Sequence, residues 1–181
     1  MAEEFLDVLD EKGNVTGKAK RSEVHGKGLI HRTVMFFIFD AKGRIFVNQR
    51  TQDKEFYGGC WSLVLGGHVS SGQTHDKAVL REAEEEAGIR GVRPESVGSF
   101  RKRDGRDQEH VHVYAFTISG KPRLDPSEIR RGTFMTIGQA GEKMKRENFL
   151  PETARLYAML TERMANFQKG KIEKPFFIIS S

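Results

Sequence analysis

Apolar and polar positions change period several times along the chain, and each change marks an element. Residues 33–39, TVMFFIF, form an almost unbroken apolar run of strand length, the pattern of a strand buried on both faces. DAKG at 40–43 is a turn, and RIFVNQR at 44–50 alternates as a second strand, so the two are expected to pair as a hairpin. Upstream, FLDVLDEKGNVTGK at 5–18 reads as two short strands about a Gly-Asn turn. TQDKEFYGGC at 51–60 reads as a loop, and WSLVL at 61–65 as a short strand entering Gly66-Gly67. A helical period then takes over at about 74–87, with Thr74 as N-cap, Asp76 in the first turn and Gly88 just past the end. Residues 97–119 read as two strands around a charged loop, 130–137 as one more strand, and about 138–147 as a helix. The last helix is expected at 152–167, with Ala154, Tyr157, Leu160, Met164 and Phe167 on one side. The tail KPFFIISS suits an edge strand or a partner contact, and that choice stays open. Strands interleaved with helices predict an α/β fold with a mixed sheet covered on both sides.

Composition narrows this picture. At 181 residues the chain suits one domain, with 1–30 as an N-terminal extension of strands and 152–181 as a C-terminal helix and tail. Hydrophobic content of 37% and charged content of 30% fit a globular protein. No apolar run approaches the roughly 18 residues of a membrane span. The N-terminus lacks a basic segment followed by an apolar core, and Cys60 is the only cysteine, so a cytoplasmic protein without an intrachain disulfide is expected. A formal charge of +5 favours anionic partners such as phosphorylated metabolites. Basic residues are spread along the chain with no aromatic-and-basic platform, so a nucleic-acid partner is not expected. The N-terminal strands and the apolar tail are candidate surfaces for a homodimer.

Charge within the 74–87 segment carries the chemistry. At 100° per residue Glu82, Glu85 and Glu86 share one face, Val79, Leu80, Ala83 and Ala87 form an adjoining apolar stripe, and Glu84 points to solvent. Arg81 is within reach of Glu84 and Glu85. Like charges at these spacings oppose one another by about 0.2–0.5 kcal/mol a pair, and acids near a helix C-terminus oppose its dipole. A divalent cation reverses the sign of that term, and Mg²⁺ or Mn²⁺ favours carboxylate oxygen. Without a cation the same residues are a solvated acidic face balanced by Arg81 and Arg90.

The spacing around these acids resembles the signature of the Nudix hydrolase superfamily. Gly67 begins it, Arg81-Glu82 follows, Ala83 fills the apolar slot, and Glu85-Glu86, Gly88 and Ile89 complete it. One slot departs: Gln73 stands where the signature has Glu. The resemblance implies a Nudix-type α/β/α sandwich whose signature forms a loop–helix–loop. It implies a divalent-metal-dependent hydrolase cleaving a nucleoside diphosphate derivative or a related diphosphate, with Mg²⁺ or Mn²⁺ as cofactor. Carried over, Glu82, Glu85, Glu86 and the Gly66 carbonyl would hold the metal, and Glu82 or Glu85 would serve catalysis. Glu128 and Glu109 are candidate general bases outside the signature, and Arg50 and Arg81 are candidate substrate or support contacts. Arg101, Lys102, Arg103 and Arg106 crowd the charged loop as further phosphate partners. Gln73 is expected to accept a hydrogen bond from Arg81 while bringing no charge, which would weaken or shift the metal site.

Residues 4–90 further resemble the isopentenyl-diphosphate isomerase branch of the superfamily. The resemblance places His25, His31 and His68 near that branch's histidines, and it opens the possibility of a second metal site. His110 and His112 alternate with Val111 and Val113 and read as the polar face of a strand. Gly66 stands where that branch has a cysteine, Cys60 lies six residues upstream, and Val111 replaces the second Glu of a Glu-x-Glu pair. Besides hydrolysis, two readings stay open here: an isomerase-like enzyme and a non-catalytic Nudix ligand-binding domain.

Overall fold

The computed structural model describes residues 3–54, 56–105 and 107–168. The apolar run becomes the central strand of a mixed seven-stranded sheet. In chain order the elements are β1 (Phe5–Leu9), β2 (Val15–Lys20), α1 (Arg21–Lys27), β3 (His31–Asp40), β4 (Ile45–Arg50), β5 (Trp61–Ser62) and β6 (Leu65–His68). Then follow α2 (His75–Ala87), β7 (Glu95–Asp104), β8 (Asp107–Ile118), β9 (Ile129–Met135), α3 (Ile137–Met144) and α4 (Thr153–Gln168). The sheet runs β5-β4-β3-β8-β7, with β6 also on β3 and β9 on β4. The β3–β8 pair is parallel and the other pairs are antiparallel.

Alternation along β3 explains the two covering layers. Phe37 and Phe39 join Val111, Val113, Leu156 and Leu160 in one core, under α3 and α4. Val34, Phe36 and Ile38 join Tyr114, Phe116, Val79, Ala83 and Ala87 in the other, under α2. A strand apolar at every position is stable only between two such layers, where each fully buried Phe contributes about 1.5–3 kcal/mol over an exposed one. In α4 the buried side runs through Leu156 and Leu160, whereas Ala154 is exposed. The Phe167 side chain and the KPFFIISS tail lie outside the described residues, as does Arg106.

Four local expectations change. The β3–β4 hairpin is in register only at Phe39↔Ile45, because β6 takes the same edge of β3 from Thr33 to Phe36, and β4 runs instead along β9. WSLVL is two strands: the Ser62 hydroxyl donates to the Val64 carbonyl at 2.8 Å and accepts the Val64 N–H at 3.1 Å, turning the chain. Arg101, Lys102 and Arg103 belong to β7 and not to a loop, with Arg101 and Arg103 facing Glu11 and Lys102 facing Glu109. Helix α1 had no period to announce it, since it has seven residues and only Val24 is buried; Gly28, left-handed at φ 62°, ends it. The β1–β2 hairpin and α1 share a small core of Leu6, Ala19 and Val24, and Arg32 ties β3 to the buried Asp7 at 2.5 Å.

Candidate active site

Local folding rules fix α2 against the glycines of β6. Thr74 accepts the Lys77 N–H, Asp76 accepts the Tyr114 hydroxyl at 2.6 Å, and left-handed Gly88 closes the far end by donating to the Glu84 carbonyl. Gly66 and Gly67 are required by close approach. A Cβ on Gly66 would stand 2.1 Å from the Val34 carbonyl oxygen, and one on Gly67 would stand 2.3 Å from a Glu82 carboxylate oxygen.

The acids beneath this turn divide into unlike pairs. Glu82 is buried and meets Arg81 at 2.8 Å; Glu85 is more exposed and meets the same guanidinium at 3.0 Å. Arg81 also donates to the His68 carbonyl at 2.9 Å, which pins the helix to β6. Glu84 pairs with Arg90 and lies off the site. Glu86 has no cationic partner among its hydrogen bonds and accepts the Gly66 N–H at 3.1 Å. Burial, then the charges of Glu82 and Glu128, push its carboxyl up to about 8, against the pull of the Gly66 N–H and Arg50. Burial also raises Glu82; Arg81 pulls it back and Glu85 adds to the rise. A half-buried Glu86 whose ionisation is opposed by the charge of buried Glu82 is suited to a divalent cation, so this donor set fits Mg²⁺ or Mn²⁺. Glu85, held by Arg81, stands at the margin.

Arg50 and Glu128 converge on Glu86 from β4 and from the start of β9, close enough for their charges to act on it. The Arg50 Nε is buried with no hydrogen-bond partner. Glu128 is paired with Lys54 from the 51–60 loop. Gln73 differs from expectation. Its side-chain oxygen is buried without a partner, as is the Arg81 Nε, because the terminal nitrogens of Arg81 are committed to Glu82, Glu85 and the His68 carbonyl.

A second group gathers around His68. His25, His31 and His68 each offer a ring nitrogen, all within 4.8 Å of one another, the one such trio of potential metal ligands among the described residues. His31 is fully buried and its Nδ1 lies 3.0 Å from the Leu29 carbonyl, which can only accept. That bond places the proton on Nδ1 and leaves Nε2, buried and unpartnered, as a lone pair. His25 sets Nδ1 on Asp107 at 2.9 Å and Nε2 against His68 Nε2 at 3.0 Å. Burial lowers His31 and carries His68 well below the ordinary histidine range, so both are neutral at pH 7. Three ring nitrogens this close fit a divalent transition-metal ion, which would take the place of the proton shared by His25 and His68. Glu109 does not join the α2 acids. It stands in register with His31, accepts the Thr33 hydroxyl and pairs with Lys102 at 3.3 Å. Asp107 had no sequence signal at all, because it acts through a histidine 82 positions away. His110 and His112 stay out of the trio, on the α2 side of β8, where His112 lies against His75 and stacks on Tyr114.

A mixed sheet between helical layers, with a glycine turn packed on an acidic helix, defines an α/β/α hydrolase-type sandwich. The NUDIX domain family matches residues 29–160. The chain belongs to the Nudix hydrolase family. It is 34% identical over 161 residues to a Nudix hydrolase of Streptomyces coelicolor, covering 88% of this chain and 89% of that one. It is 30% identical over 149 residues to an isopentenyl-diphosphate Delta-isomerase of Serratia proteamaculans, covering 80% and 83%. Among solved structures, DR0079 from Deinococcus radiodurans shares the fold with a TM-score of 0.75 at 23% identity, over 86% of this chain and 98% of that one. The NUDIX domain of Shewanella oneidensis NrtR, solved with ADP ribose, shares it with a TM-score of 0.59 at 16% identity, over 74% and 87%. No helix among the described residues is long and apolar enough to cross a membrane.

Proposed function

We propose that this Nudix hydrolase cleaves a diphosphate linkage in a nucleoside diphosphate derivative or related phosphorylated metabolite, with Mg²⁺ or Mn²⁺ at Glu82, Glu86 and the Gly66 carbonyl. The observation that carries the reading is buried Glu82 beside half-buried Glu86, which accepts the Gly66 N–H and whose ionisation Glu82 opposes, with Arg50 acting on it. A bound cation would supply polarisation of the phosphoryl oxygens and a more acidic water. The chain's own groups do the rest. Arg50 holds the diphosphate through its guanidinium. Arg81 positions Glu82 and holds Glu85 at the margin of the ligand set. Glu128 takes the proton of the attacking water, with Lys54 fixing its position.

The isomerase reading has two features in its favour, the histidine trio and the relative from Serratia. It lacks the groups for the chemistry: Gly66 has no room for a thiol-bearing side chain, and Val111 is buried and apolar. The test is a metal-supplemented screen over nucleoside diphosphate sugars, dinucleoside polyphosphates, nucleoside triphosphates and isopentenyl diphosphate, reading phosphate release and dimethylallyl product together. Release that depends on Mg²⁺ or Mn²⁺ and disappears in Glu86→Gln supports the proposal. Equal release by wild type and Glu86→Gln would falsify it, and dimethylallyl product would establish the isomerase instead.

A further inference from the structure

The last carbonyls of a helix find no partner inside it and must be satisfied from elsewhere. In α2 the donors come from a segment more distant in the chain. The Arg123 N–H donates to the Ala87 carbonyl at 2.9 Å, and the Asp125 N–H donates to the Glu86 carbonyl at 3.0 Å. The chain then turns at once. The Asp125 carbonyl accepts the Glu128 N–H at 3.1 Å and the Ile129 N–H at 2.9 Å, and β9 begins. Asp-Pro-Ser-Glu at 125–128 suits this turn, since Pro presets the backbone of the second position and Asp binds the backbone two residues on. One oxygen of the Asp125 carboxylate accepts the Ser127 N–H at 2.8 Å and the Ser127 hydroxyl at 2.7 Å.

The far side of the turn is fastened to the end of β4. Arg50 stands in register with Ile129. Thr51 donates its N–H to the Glu128 carbonyl at 3.1 Å and its hydroxyl to the Ser127 carbonyl at 3.2 Å. Lys54 pairs with the Glu128 carboxylate. Residues 125–128 therefore connect the helix that carries Glu86 to the strand that carries Arg50, and Glu128 is the last of them. The hydrogen bonds of the Asp125 carboxylate go to Ser127, so it acts on the site through the shape of the turn.

We infer that Asp125 is a positioning residue: by holding Ser127 it sets the turn that fixes Glu128 relative to Glu86 and Arg50. The inference rests on the diphosphate-hydrolase reading for the role of Glu128. A group that takes a proton from the attacking water must stand within hydrogen-bond reach of it, and a displacement of about 1 Å can cost about 100-fold in rate. Without the Asp125 carboxylate the turn keeps only its backbone bonds and the hold of Thr51, and the Glu128 side chain follows Lys54.

The test compares wild type, Asp125→Ala and Asp125→Asn on the screened diphosphate that wild type hydrolyses fastest, with saturating Mn²⁺. Asn keeps a side-chain oxygen for Ser127 and Ala does not. Asp125→Ala should lose roughly tenfold to a hundredfold in kcat with KM within about twofold, because Arg50 and Glu86 keep their places, and Asp125→Asn should restore most of the loss. In a Glu128→Gln background, Asp125→Ala should cost nothing further, since it acts through Glu128. An equal loss in both backgrounds overturns the inference. So does Asp125→Asn as slow as Asp125→Ala, Asp125→Ala as fast as wild type, or Glu128→Gln with the kcat of wild type. Amide hydrogen exchange separates this from the hydrolase reading. If wild type hydrolyses none of the screened compounds, the hydrolase reading fails alone. Faster exchange at Thr51 and Glu128 in Asp125→Ala, with Asp125→Asn like wild type, then still supports the positioning role, and any other pattern overturns it.

Discussion

Replacing Glu86 by Gln should stabilise the metal-free protein, and by an amount that grows with pH. The Glu86 carboxyl is pushed from its ordinary 4.5 up to about 8 by burial and by the charges of Glu82 and Glu128. Between those two values the folded state keeps a proton that the unfolded chain has released. Unfolding therefore becomes easier as pH rises through this window, the reverse of a salt-bridged acid. Integrated from the acid side, the penalty is about 3 kcal/mol at pH 7 and about 1 kcal/mol at pH 5, as order-of-magnitude figures. Gln has the same shape and keeps an oxygen for the Gly66 N–H, so the substitution removes the charge and little else. Urea unfolding in EDTA should show Glu86→Gln more stable than wild type at pH 7.5 to 8, by roughly 2–4 kcal/mol, with the gap falling to about 1 kcal/mol at pH 5. Adding Mn²⁺ should then stabilise wild type by mass action and leave the variant nearly unmoved. A gap that is the same at both pH values, or a variant less stable than wild type at pH 8, would refute the premise that Glu86 is a strained acid awaiting a cation.

Three further outcomes follow from the same geometry. Gln73→Glu should raise Mn²⁺ affinity by roughly threefold to tenfold, because it gives Arg81 another anionic partner and loosens its hold on Glu82 and Glu85; calorimetric titration of both proteins reads this directly. Gly66→Cys should lower stability by about 1–3 kcal/mol, since the new Cβ meets backbone at Val34 and Met35 rather than a movable side chain; an unchanged melting temperature would show that β6 shifts freely. Asp7 is buried, which alone would raise its carboxyl. The Ser71 hydroxyl, the Gly72 N–H and Arg32 outweigh that and hold it below the ordinary 3.8. Its stabilisation is thus present above about pH 4 and lost as pH falls through the lowered value, so Asp7→Asn should cost roughly 1–3 kcal/mol at pH 7 and progressively less as pH falls below 3.8.

Much of the frame was legible in the chain because it rests on local rules. Thr74, Asp76 and Gly88 bound α2 by capping chemistry that needs no tertiary contact. The apolar run at 33–39 was bound to become the middle of the sheet, since no other place buries both of its faces. What escaped was set by competition between distant segments. β4 pairs with β9 because β6 occupies the edge of β3 that a simple hairpin would use. Lys102 reads as one more charge in RKR until β7 extends through it, and alternation then turns it inward onto Glu109 while Arg101 and Arg103 face Glu11.

The two metal-suited groups differ in legibility for the same reason. Glu82, Glu85 and Glu86 lie on one helix, so their spacing alone reveals a shared face. His25, His31 and His68 come from α1, β3 and β6, and only the fold brings their nitrogens together. Yet the groups are physically joined: Arg81 braces Glu82 and Glu85 while donating to the carbonyl of His68, and Gly66 two residues earlier donates to Glu86. Because Gln73 brings no charge, Arg81 is the cation that balances these acids, so its position ties the charge on α2 to the place of β6. A cation entering at Glu82 and Glu86 must compete with Arg81 for Glu82, and any retreat of Arg81 loosens the strand that carries His68. The departure at position 73 therefore bears on both groups at once, which a reading of the acidic helix alone does not reveal.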